Sequence, residues 1–143
     1  MIYVGYQGIG KSTICHKIDN CIDLESSNFF VNGQRSEDWY KIYANIAKHL
    51  SDQGKTVFVS SHKVLRDYMN KKNIPFTVIY PSLELKGLWV NKLKERYNLT
   101  HKGKDFKAWV NAEEKYDENI QDLSREKRRI VIIDMDYSLE NLI

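Results

Sequence analysis

Short apolar runs alternate with longer amphipathic stretches along the 143 residues. Ile2-Tyr3-Val4 reads as a short strand running into a glycine-rich loop, and Lys11 to about Asp19 as the first helix. Cys21-Ile22-Asp23-Leu24 is a second short strand, followed by a polar loop over 26–33. The next helix is marked more sharply. Trp39, Ile42, Tyr43, Ile46, Ala47 and Leu50 recur at helical spacing and form one apolar face. Ser36 is placed to cap this helix, Glu37 and Asp38 put negative charge in its first turn, and Gln53-Gly54 ends it. Thr56-Val57-Phe58-Val59 is a third strand whose unbroken apolarity predicts burial on both faces. A short helix over 63–72 and a fourth strand over 76–80, closed by Pro81, follow. Ser82 caps a long helix reaching about Tyr97, and 98–107 is polar and basic around Gly103. Trp109, Ala112, Tyr116, Ile120 and Leu123 mark another amphipathic helix, and 129–134 a fifth, β-branched strand.

Five strands joined by helices predict an α/β domain with a parallel sheet and right-handed crossovers. No repeat, low-complexity segment or linker breaks the pattern, so one domain over 1–143 is expected. Apolar residues at 42%, charged at 29% and aromatic at 12% belong to an ordered soluble protein. No apolar run approaches the roughly 18 residues that span a bilayer. A glycine motif this near the start leaves no room for a signal peptide, so a cytoplasmic protein without membrane partners is expected. Cys15 and Cys21 form no C-x-x-C pair and have no His partners at zinc-ligand spacing, so reduced, structural thiols are expected. A net charge of +3 suits an anionic small molecule such as a nucleotide. It falls short of the clustered cations that long nucleic acid requires.

The chemistry is concentrated in Gly5-Tyr6-Gln7-Gly8-Ile9-Gly10-Lys11-Ser12, which fits the phosphate-loop pattern without exception. Glycines at 5, 8 and 10 let the backbone take positive φ and approach phosphates with no Cβ in the way. The resulting row of N–H groups, through Gln7, Ile9 and Thr13, makes an anion nest ahead of a helix. Lys11 reaches the β- and γ-phosphates, and the Ser12 hydroxyl is a hard oxygen ligand suited to Mg²⁺. The expected ligand is therefore a nucleoside triphosphate, with ATP and Mg²⁺ as the natural pair. On the long helix after Ser82, Lys92 and Arg96 project on the same side as Leu85, Leu88, Trp89 and Leu93. Cations on an apolar face suggest that the stripe meets the core first and an anionic site at its end.

This loop in its strand-to-helix setting, with the order and length of the elements, resembles the P-loop nucleoside monophosphate kinase superfamily, the adenylate-kinase-like group. Small phage-type deoxynucleotide kinases are the most similar members. The resemblance implies a three-layer P-loop NTPase fold with a five-stranded parallel sheet in the order 2-3-1-4-5. It also implies a mobile acceptor-binding segment at about 25–50 and a basic lid at about 98–108. GTPases fit less well, because Asn91-Lys92-Leu93-Lys94 lacks the Asp of N-K-x-D and lies inside a helix. Strand 3 ends Val59-Ser60-Ser61-His62, with no acidic residue where many nucleotide kinases carry an Asp near the metal.

By that resemblance Asp23 supports the metal or takes the acceptor's proton, and Glu25 contacts the acceptor. Arg96 and Lys92 act on the transferring phosphoryl group. Lys102, Lys104 and Lys107 belong to the lid, which closes on the donor. Arg35 and Arg66 bind an acceptor phosphate. His62 is a local cap or a substrate contact. Phe29, Phe30, Trp39 and Tyr40 are candidates for stacking on an acceptor base, although helical spacing places Trp39 in the core. Met135-Asp136-Tyr137-Ser138 closes the adenine pocket through backbone. The leading expectation is an ATP-dependent kinase of (deoxy)nucleoside monophosphates. Two alternatives stay open: a kinase of another hydroxyl acceptor or a nucleic-acid 5′ end, and a non-catalytic nucleotide-binding regulator.

Overall fold

The apolar runs become the strands of a five-stranded, all-parallel sheet. The computed structural model of the chain describes residues 1–31 and 34–143. In chain order the elements are β1 (Ile2–Gly5), α1 (Lys11–Lys17), β2 (Cys21–Asp23), β3 (Phe30–Val31), β4 (Gln34–Arg35), α2 (Trp39–Asp52), β5 (Thr56–Ser60) and α3 (Lys63–Lys71). They continue with β6 (Thr77–Pro81), α4 (Lys86–Thr100), α5 (Gly103–Leu123), β7 (Arg129–Ile132) and α6 (Leu139–Leu142). Single 3₁₀ turns occupy Ser26–Phe29 and Leu83–Leu85.

The sheet order is β2-β5-β1-β6-β7. It is numbered differently from the expected 2-3-1-4-5 because the polar loop after β2 folds into an antiparallel hairpin, β3–β4, that stays out of the main sheet. β1 lies at the centre, with Val4 level with Val59 on one side and Val78 on the other. All three valines are fully buried, as a strand with neighbours on both edges requires. Strand β7 at one edge exposes Arg129 and Val131.

The helices depart from the sequence pattern at several points. In α2 the buried face is Trp39, Tyr43, Ala44 and Ala47, while Ile42 is 54% exposed. The face is turned by roughly half a residue from the expected stripe. Two alanines at the contact let the helix lie close to the sheet, and the bulkier Ile42 and Ile46 are pushed to its flank. Ser36 does not cap α2, which starts after Asp38 without a side-chain cap. Leu88 of α4 is exposed, whereas Leu85, Trp89 and Leu93 are buried. The stretch expected as a lid at 98–108 is mostly helix. α4 continues to Thr100 and α5 starts at Gly103, so the connection shrinks to His101 and Lys102. The expectation of reduced thiols is also overturned. Cys15 in the last turns of α1 and Cys21 at the start of β2 form a disulfide, with Cα atoms 4.8 Å apart. Motif spacing gave no hint of it, because the tight α1–β2 turn is what brings the two residues together. No helix among the described residues is long and apolar enough to cross a membrane.

One buried side chain holds the site end of the sheet. Tyr43 on α2 donates its hydroxyl hydrogen to the carbonyl of Leu24 and accepts the N–H of Ser60 at 3.0 Å. Burial pushes its pKa up to about 12, so it remains a donor at any physiological pH. Together with the Leu24 N–H on the Phe58 carbonyl (2.9 Å), this pins the end of β2 to the end of β5. Tyr43→Phe leaves two backbone groups unsatisfied and is expected to lower the unfolding free energy by about 1–3 kcal/mol in urea titrations. An unchanged value would show that the hydroxyl carries no such role.

Candidate active site

β1 delivers the chain to a loop whose shape depends on glycine. Tyr6 leaves the sheet through its N–H on the Ile79 carbonyl (2.9 Å). Gly8 and Gly10 then adopt φ of +87° and +103°, a region that side chains rarely tolerate. A Cβ at Gly8 would also sit 2.9 Å from Leu93 Cδ2, whereas one at Gly10 would meet nothing within 4 Å. Gly10 therefore borders open space. The N–H groups of Gly8, Gly10, Lys11, Ser12 and Thr13 have no acceptor among the described residues.

The loop's carbonyls are held from outside. Trp89 Nε1 donates to the Gln7 carbonyl at 2.9 Å, and the Tyr137 hydroxyl donates to the Ile9 carbonyl at 2.7 Å. Lys92 Nζ donates in turn to the Tyr137 hydroxyl at 3.1 Å and lies 4.3 Å from the Trp89 ring centre. The Gln7 side chain turns away from the loop and donates to the Ala108 carbonyl (3.0 Å) and to Asn111 Oδ1 (3.1 Å), both on α5. Sequence reasoning missed the part played by Trp89 and Tyr137. Trp89 looked like an ordinary core aromatic, and no pattern distinguishes a tyrosine in the stretch after the last strand. Lys92 accordingly sits beneath the loop as a brace. Its pKa is pushed down by burial and further by Arg96.

A cleft of about 1580 Å³ runs from the loop past the ends of β2 and β5 to the α4–α5 corner. That exceeds the roughly 300–1,000 Å³ typical of one small ligand and leaves room for two. The expected residues Asp23, Glu25, Arg35, Lys92, Arg96, Lys102, Lys104 and Lys107 all line it with the loop. Lys11 is the electrostatic centre. Burial pushes its pKa down, Asp23 and Glu25 push it back up, and Arg96 and Lys104 oppose them. Burial raises the pKa of Asp23; Lys11 opposes that shift and Glu25 adds to it through its charge and a hydrogen bond. Oxygen donors near the loop are the Ser12 hydroxyl and the Asp23 carboxylate. No group of three or more His, Cys, Asp or Glu among the described residues is placed to hold a metal ion by itself.

Several expected roles change. Arg66 is 4% exposed and committed: its guanidinium is ion-paired with Asp122 and, at 2.8 Å, with Glu126, and its Nε donates to the Ser61 carbonyl. It joins α3 to α5 and also lines the cleft. Arg96 reaches the cleft but its Nε is 3.0 Å from the buried carboxylate of Asp105, which also takes a hydrogen bond from Thr100. Lys104 and Lys107 lie in the first turns of α5, with Lys102 just before it. Arg35 lies 4.4 Å over the Trp39 ring and donates to Ser26 Oγ at 3.0 Å. Trp39 is buried as expected, Tyr40 packs against it, and Phe29 packs on Tyr43. The Phe30 side chain lies outside the described residues. Ser60 stands where an acidic residue is often found, and its buried Oγ has no partner among the described residues.

No family model matches the chain, and no curated protein matches it. Among solved structures, the Deinococcus radiodurans tunicamycin resistance protein is similar in fold. The TM-score is 0.56 at 12% identity, covering 98% of this chain and 89% of that one. A likeness at that identity shows a shared fold alone.

His62, whose ring lies edge-on 5.0 Å from Trp39, supplies a pH test. Burial, then the charges of Arg35, Lys11 and Arg66, lower its pKa from 6.5 to about 4. Between those values the unfolded chain binds a proton that the folded chain refuses, so stability falls as pH drops from 6.5 toward 4. Between pH 7 and 5 the wild type is expected to lose about 1–2 kcal/mol more than His62→Asn in urea titrations. Equal losses would contradict the shift.

Proposed function

We propose that this protein is a small-molecule kinase that binds Mg-ATP at Gly5–Ser12 and transfers the γ-phosphoryl group to an acceptor at the ends of β2 and β5. The observation that carries this reading is the set of N–H groups of Gly8, Gly10, Lys11, Ser12 and Thr13, which have no acceptor among the described residues, beside the open space at Gly10. Groups of this kind, half-withdrawn from water, are stabilised by an anion with several oxygens. A triphosphate supplies them.

The oxygen donors Ser12 and Asp23 fit a hydrated Mg²⁺ that takes its remaining ligands from phosphate and water. Bound there, the ion would offset charge between the β- and γ-phosphates. The chain's own residues position and neutralise. Lys11 draws on the terminal phosphates, and Lys104 brings a second cation from the α4–α5 corner. Arg96 contributes a field already reduced by Asp105. In the transfer, an acceptor oxygen bonds to the γ-phosphorus as the bond to the β–γ bridging oxygen breaks, and ADP leaves with the electron pair. The loop holds the donor in line while the strand ends hold the acceptor.

A second reading, a nucleotide-binding regulator without transfer, draws on Ser60 in place of an acidic residue. ATP consumption with a panel of small acceptors, measured beside ATP binding, separates the two. Transfer by the wild type is expected, with a fall of at least about a hundredfold in Lys11→Ala. Tight ATP binding with no transfer to any acceptor would favour the regulator, and absence of ATP binding would overturn both.

A further inference from the structure

The acceptor half of the cleft has its own charge pattern. It is bounded by Asp23 and Glu25 after β2, Ser60 and His62 after β5, and Arg35 from the hairpin. The charges of both carboxylates act on Lys11. The cations nearby are largely committed. Arg66 is held by Asp122 and Glu126, Lys63 by Asp67 at 2.9 Å, and Arg35 lies on Trp39 with a bond to Ser26. A phosphomonoester would bring close to two negative charges beside the two carboxylates. Sites that hold phosphate dianions instead converge several donors, typically with arginine forks.

The uncharged groups point the other way. Ser60 Oγ is buried beside the Tyr43 hydroxyl, has no partner within hydrogen-bond range among the described residues, and can both donate and accept. Neutral His62 offers one donor and one acceptor. Carboxylates accept from hydroxyls, and neighbouring carboxylates suit a ligand with several of them.

Resting on the kinase reading, we propose that the acceptor is an uncharged polyhydroxylated molecule, held through its hydroxyl groups by Asp23, Glu25 and Ser60, and not a phosphomonoester. A hydroxyl acceptor must shed its proton as its oxygen bonds to the γ-phosphorus, and the carboxylate pair stands where that proton can go. A phosphate acceptor, already ionised, would have no use for such a pair. Arg66, turned inward to join two helices, is what a site without an acceptor phosphate permits.

Matched pairs test this: nucleosides against their 5′-monophosphates, and hexoses against their 6-phosphates, titrated calorimetrically into the ADP- and Mg²⁺-saturated protein. The uncharged member of at least one pair is expected to bind at least about tenfold more tightly than its phosphorylated partner. Asp23→Asn combined with Glu25→Gln should cut that binding by at least about tenfold and shrink the discrimination against phosphate. Ser60→Ala, a milder change, should weaken the uncharged ligand about five- to tenfold. Equal or tighter binding of the phosphorylated partners, or no binding by any uncharged member, overturns the inference while leaving ADP binding intact. Failure of ADP itself to bind overturns the kinase reading and this inference with it.

Discussion

A loop that turns its peptide N–H groups toward a shared ligand turns its carbonyl groups outward, and those carbonyls need partners elsewhere. Much of this molecule is arranged around that constraint. Trp89 takes the Gln7 carbonyl, Tyr137 takes the Ile9 carbonyl, and the Gln7 side chain ties the same turn to α5. The three contacts come from α4, from the segment after β7 and from α5. The loop's geometry is therefore set by tertiary packing more than by its own sequence. Lys92 bonds Tyr137 and lies over Trp89, adding a cation to the brace. Rigid bracing matters chemically because amides already in place need no reorganisation when phosphate charge arrives.

The second organising feature is how the cations are shared out. A site that gathers phosphate needs positive charge, yet charges of one sign crowded in a half-buried cleft repel one another. The structure resolves this by pairing some of them permanently. Buried Arg66 is neutralised by Asp122 and Glu126 and joins α3 to α5. Arg96 is moderated by Asp105, whose position at the start of α5 also fixes the corner after α4 through Thr100. The charges of Lys104, Arg96, Asp23 and Glu25 all act on Lys11. Within the cleft the acids Asp23 and Glu25 lie at the end of β2 and Lys104 at the α4–α5 corner. Tyr43 locks the ends of β2 and β5 together.

How much of this was legible in the sequence depended on how local the cause was. The bends of the loop were readable at Gly8 and Gly10, which take positive φ, whereas Gly5, expected to share it, does not. The parallel sheet was readable from apolar runs such as 56–59. Asp23 ends β2 as the short apolar run implied, while Glu25 lies two residues beyond the strand. Non-local causes left no trace. Periodicity put Ile42 inside α2, but the small Ala44 and Ala47 decide which side of the helix can approach the sheet. The basic run at 98–107 looked like a loop, yet Gly103 and its neighbours continue as helix because the aromatics Tyr97, Phe106 and Trp109 pack across the α4–α5 corner. The Cys15–Cys21 disulfide followed from a turn geometry that spacing rules do not describe. The ion pairs of Arg66 were not legible, because its partners lie 56 and 60 residues away.

The central claim is that the backbone of this loop, held open by its outside partners, binds the phosphates of a triphosphate. Amide nitrogen–proton correlation spectra recorded while Mg-ATP is added test it most directly. The Gly8, Gly10, Lys11 and Ser12 amide protons should move downfield as they donate to phosphate. The Trp89 indole N–H should shift with them, because it shares the Gln7 peptide. Spectra in which ATP leaves these resonances where they were, or moves others while Gly8 and Gly10 stay fixed, would contradict the account.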